Sequence, residues 1–174
     1  LPLYVAIATD TGGFQFSNTT AYTHIVAAAL METGIDYRTV NKVFFRTKSR
    51  KRLALEADML TNLEYFDRER VAFLYVPRSL MARIQATESD AEELSSLGAQ
   101  IQGVDCAVTF RELGEGEWKL SVRTGERVNA TEVCRLMGGG GHARAAGCTV
   151  KADLSEVKRR CLAAIAANAA DFEG

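Results

Sequence analysis

Four consecutive glycines, Gly138, Gly139, Gly140 and Gly141, run into His142 and then Ala143-Arg144-Ala145-Ala146-Gly147. Before them, residues 131–137 have the composition of a short helix. After them, Cys148-Thr149-Val150 reads as a strand. Glycine loses more backbone freedom on folding than any other residue, so a folded chain keeps a run of it where backbone must approach something closely. Successive N–H groups in such a run can converge on an anion, and His142 adds a side-chain donor. The stretch reads as a ligand-binding loop. The alternatives are a flexible linker and a sharp helix-to-strand turn. It is not a P-loop, because no Gly-Lys-Ser/Thr closes it.

A second anion-binding residue type precedes this run. Ser121-Val122-Arg123-Thr124 ends a strand signal that starts near Trp118, and arginine is the side chain suited to bidentate contact with phosphate. An arginine at a strand end is ordinarily solvated, so Arg123 gains weight only from the nearby glycine run. Residues 104–110 and 118–123 are expected to form a hairpin about Gly114-Glu115-Gly116.

Towards the N-terminus, residues 3–8 are short and apolar, as expected for a strand buried on both faces. They lead into Thr9-Asp10-Thr11-Gly12-Gly13. A carboxylate at the C-terminal tip of a strand is a common metal ligand, although by spacing alone Asp10 more readily closes an Asx-turn with its own backbone. The rest of the chain offers no evident ligand set for a hard divalent ion. Asn18, Thr19 and Thr20 offer caps for a helix ending at Gly34, and Asp36 caps a second one reaching about Phe45. Five basic residues lie between Arg46 and Arg52. They read mainly as the solvated start of a linking helix. The expected organisation is residues 1–48 as the end of one domain, 49–66 as a linker helix, and 67–174 as a mixed α/β domain. In that last part, residues 71–76 are a strand, 79–86 and 90–99 are helices, and 155–170 form a closing helix.

Bulk properties exclude several classes. The 174 residues carry a net charge of -1, so no global field draws the chain to long nucleic acid or an anionic membrane. No apolar run approaches the roughly 20 residues that span a bilayer, and no signal peptide is visible. The four cysteines form no CxxC pair, which suits free thiols in the cytoplasm. The chain opens on an apolar run without an initiator Met, as expected of a piece of a longer protein.

Two stretches together resemble one family. Residues 8–20, Ala-Thr-Asp-Thr-Gly-Gly-Phe-Gln-Phe-Ser-Asn-Thr-Thr, resemble the fourth motif of the DHH phosphoesterases. Residues 138–147 are similar to the GGGH-x-x-AAG signature of the DHH-associated C-terminal domain, and residues 121–124 to the S-x-R-S/T strand before it. The branch that fits best trims short oligonucleotides and dephosphorylates 3′-phosphoadenosine 5′-phosphate. The resemblance implies the end of a parallel-sheet domain, a linking helix and a smaller mixed-sheet domain. It implies a hydrolase using two manganese ions, with Asp10 as a ligand and catalytic residue. Ser121, Arg123, Gly139, Gly140, Gly141 and His142 would hold a short oligonucleotide or nucleotide phosphate. The Asp-His-His and Asp-x-Asp motifs are not in this chain, so the resemblance implies activity for the parent and nucleotide binding for the portion here. A homodimer is compatible with it. Other readings are a non-catalytic nucleotide-binding module and a phosphodiesterase of linear or cyclic dinucleotide signals. Long-strand nucleases, which need an extended positive groove, fit the charge poorly.

Overall fold

The computed structural model describes residues 1–91 and 94–169 and divides into two compact units, Leu1–Lys48 and the residues from Ser49 onward. The first unit is helical. Residues 3–8 are not a strand: α1 runs Pro2–Asp10. A short apolar run carries no period that distinguishes a buried strand from a helix. Here Pro2 stands in the first turn, where its missing N–H costs nothing. Asp10 therefore ends a helix, not a strand. α2 (Ala21–Glu32) starts at a reciprocal cap in which Thr20 and Thr23 each bond the other's backbone. α3 is short, Tyr37–Asn41, capped by Asp36. The expected helix to Phe45 gives way at Lys42–Arg46 to a wider π turn. Tyr4, Ala8, Ala27 and Val40 form this unit's core.

The second unit is built on a six-stranded mixed sheet of order β1-β2-β3-β4-β6-β5. Its strands are β1 (Glu64–Phe66), β2 (Val71–Val76), β3 (Cys106–Gly114), β4 (Glu117–Thr124), β5 (Gly140–His142) and β6 (Ala145–Lys151). Only β2 and β3 are parallel. The glycine run is thus partly strand: Gly140–His142 forms the sheet's edge.

Alternation along the strands sends side chains to two faces. On one face Phe73, Val108, Phe110, Leu120, Val122 and Cys148 pack under α7 (Ala130–Arg135) and α8 (Leu154–Ala166). On the other, Ala72, Leu74 and Val76 are covered by Leu55 and Met59 of α4 (Arg50–Thr61) and by Leu80 of α5 (Arg78–Ile84). The expected helix over 90–99 is broken into α6 (Glu88–Ala91) and two single turns, Leu94–Ser96 and Gly98–Gln100. Gly98 explains part of this. A Cβ there would meet Leu74 Cδ1 at 2.6 Å and Ala107 Cβ at 2.7 Å, so the chain lies flat on the sheet. Glu92 and Glu93, expected in the first turn of that helix, lie outside the described residues, as does Ala170 at the end of the closing helix. Among the described residues no helix is long and apolar enough to cross a membrane.

Candidate nucleotide-phosphate site

The register of β4, β6 and β5 assembles the residues singled out in the sequence. Ser121 faces Gly147 across the β4–β6 ladder, and Arg123 faces Ala145. One strand further out, Gly147 faces Gly140 and Ala145 faces His142. Residues directly opposite one another share a face. Ser121 and Arg123 therefore stand on one side of a floor made by Gly147 and Ala145, with Gly140 and His142 on the other side. Adjacent strands are ~4.8 Å apart, so the two walls are separated by ~10 Å, and the floor between them has almost no side chain. The buried partners Val122, Cys148 and Ala146 point to the opposite face.

Each glycine of the run has its own task. Gly138 ends α7 at φ 80°, a backbone region that L side chains avoid, and its N–H bonds the Arg135 carbonyl. Gly139 lies against β6, where a Cβ would come within 2.2 Å of the Gly147 carbonyl oxygen. A Cβ on Gly141 would come within 2.6 Å of Ala146 Cα. A Cβ on Gly140 would meet nothing within 4 Å. Of the three loop glycines expected to bind, then, Gly140 alone presents open backbone on the site's face. Gly139 and Gly141 are needed for β5 to lie on β6. Arg144 within the motif donates to the carbonyls of Gly125 and Val128, which ties down the chain before α7.

Arg123 is half-buried and oriented. It donates to its neighbour's carbonyl, Val122 O, at 3.1 Å and to Ser95 Oγ at 3.0 Å. Burial pushes its guanidinium down from the ordinary arginine value. The ion pairs found among the described residues give it no carboxylate. A partly desolvated cation held by neutral acceptors gains most from an incoming anion. His142 is exposed at the sheet edge. The sequence had not indicated Ser95, which reaches the site through the single turn after α6.

Asp10 belongs to the first unit and is exposed, with Asn18 Nδ2 donating to its Oδ2 at 3.0 Å and to its carbonyl at 3.1 Å. Among the described residues no group of three His, Cys, Asp or Glu could hold a metal ion. One carboxylate and one amide do not make a two-ion site. Phe14 packs beside Tyr4 and stacks on His24 at 5.2 Å, whereas Phe16 is exposed.

The chain is 31% identical over 166 residues to a bifunctional oligoribonuclease and PAP phosphatase NrnA of Thermus thermophilus, covering 94% of this chain and 49% of that protein. It is 28% identical over 147 residues to a probable NrnA of the same description from Streptococcus mutans, covering 83% of this chain and 46% of that one. The chain thus spans about half the length of these relatives. An exopolyphosphatase-related protein from Bacteroides fragilis shares the fold, with a TM-score of 0.83, 22% identity, and coverage of 92% of this chain and 47% of that one. The DHHA1 domain family matches residues 69–171, the stretch that contains β2 through α8 and every residue of the trough. The chain belongs to the DHHA1 domain family.

Proposed function

We propose that this chain grips the 5′-phosphorylated end of a short oligonucleotide, or a nucleotide carrying more than one phosphate, for hydrolysis by the whole protein. The observation that carries the reading is the trough. An oriented, half-buried arginine stands across a side-chain-free floor from a histidine and open glycine backbone. Arg123 would supply charge and paired N–H donors, Ser121 a hydroxyl, and Gly140 close backbone approach. His142 would donate from the outer strand. The T. thermophilus relative is named a bifunctional oligoribonuclease and PAP phosphatase and the S. mutans relative a probable one, which supports this class of ligand. Metal-dependent hydrolysis belongs on this reading to the whole protein, with Asp10 contributing one carboxylate to a manganese site. The setting is cytoplasmic.

Calorimetric titration of the chain with adenosine monophosphate and with 5′-phosphorylated diadenylate, with and without manganese, tests the grip. Hydrogen bonds to a charged group contribute ~1.5–3 kcal/mol each, so Arg123→Ala should weaken binding about tenfold or more. Manganese should not be required. Affinity unchanged in Arg123→Ala would remove the trough from the binding site.

A further inference from the structure

The face that carries the trough continues into a cleft. It has a volume of about 420 Å³ and lies over β3 and β4, walled by α6 and the turn at Leu94–Ser96. Thr109, Ser121 and Ser95 line it together with two cations, Arg111 and Lys119, and a carboxylate, Glu88. Cross-strand pairing puts Thr109 opposite Ser121 and Arg111 opposite Lys119. The four therefore form a compact square on one face.

Two observations point to an anion. First, Thr109 lines the cleft and is only 5% exposed as a residue, and its buried hydroxyl has no hydrogen-bond partner among the described residues. Buried hydroxyls almost always have partners, so an unmatched one in the wall of a cleft leaves a hydrogen bond to be made. Second, the cations are incompletely neutralised. Lys119 is exposed and appears in none of the ion pairs among the described residues. Arg111 is mostly covered, at 21% side-chain exposure, but pairs with a Glu88 carboxylate that is 78% exposed. Such a carboxylate is easily displaced by a ligand anion of higher charge. The described residues lining the cleft include no aromatic ring, so they offer no platform on which a base could stack.

Ser121 belongs to both the trough and the cleft. A strand rises ~3.4 Å per residue, which sets Ser121 ~7 Å from both Arg123 and Lys119 along β4. With an inner phosphate held between Arg123 and Ser121, the phosphoryl group joined to it would point along β4 towards Lys119.

We infer that the cleft is a second anion subsite, taking the outer phosphoryl group of a nucleoside 5′-diphosphate or a 5′-diphosphorylated end. This rests on the trough holding the inner phosphate. The chain should then bind adenosine diphosphate about tenfold more tightly than adenosine monophosphate. Lys119→Ala and Thr109→Val should each remove most of that advantage while leaving monophosphate binding unchanged. Glu88→Gln should increase it, a gain that misfolding cannot imitate. Arg123→Ala should weaken both ligands together. Equal affinity for the two nucleotides in the parent chain, or an advantage untouched by Lys119→Ala, overturns the subsite and leaves the trough standing. If Arg123→Ala spares the monophosphate, the trough falls, and the subsite as an outer-phosphate site falls with it.

Discussion

Gly139 lies so close to β6 that a Cβ added to it would stand 2.5 Å from the Cβ of Cys148, while Gly140 beside it has open space. Neighbouring residues in one run are thus constrained by different things, the first by packing and the second by what the site must admit.

Alanine at these positions should separate the two constraints. Gly139→Ala and Gly141→Ala force backbone or β6 to shift. Overpacking of this kind costs ~2 kcal/mol, equivalent to a fall in Tm of roughly 4–8 °C. Gly140→Ala should melt within about 1 °C of the parent, and Gly140→Val should fold yet bind nucleotide poorly. Thermal melts followed by circular dichroism, paired with titrations, would show it. Unfolding of Gly140→Val would make all four glycines structural.

Thr109→Val should stabilise the protein. The buried hydroxyl has no partner among the described residues, and leaving such a group unmatched costs ~1–3 kcal/mol. Valine has nearly the same shape without that cost. Urea denaturation should give a higher midpoint for the variant at unchanged m value. A lower midpoint would mean that the hydroxyl is satisfied in solution.

The four thiols should resist modification in the folded state. All are buried. Burial pushes the Cys106 thiol up to about 12 and raises Cys161 as well. The Cys134 and Cys148 thiols interact: their hydrogen bond raises Cys148 and lowers Cys134, which the Arg123 charge lowers further. Because the thiolate is the nucleophile, a colourimetric thiol reagent should report almost none at pH 7 and four after denaturation. In mild denaturant Cys134 should react first. Immediate reaction of a native thiol would show that the core beneath the trough is open.

What could be read from the sequence followed period and punctuation. Lys119, Ser121 and Arg123 alternate with Trp118, Leu120 and Val122, so β4 and its solvent-side residues were legible. The turn at Gly116 announced the hairpin. Extending that hairpin's register would have placed Thr109 opposite Ser121, yet Thr109 looked like one more strand residue, and only its burial without a partner distinguishes it. α1 was misread because six apolar residues in a row fit both a buried strand and a helix, and Asp10 was consequently set at the wrong kind of terminus. Ser95 had no signal at all. It meets Arg123 because Gly98 presses the chain flat onto the sheet, a contact that depends on Leu74 and Ala107 far away in sequence.

The parallel pairing of β2 with β3 has a consequence for when the site exists. β3 and β4 can join through a tight turn, but β2 meets β3 only after the connection from Pro77 to Asp105 has closed, and closing a long loop must precede the contacts that reward it. That connection delivers Ser95 to Arg123 and Glu88 to Arg111. An early intermediate with only the antiparallel strands assembled would have neither orienting partner, so a nucleotide should slow unfolding without speeding refolding.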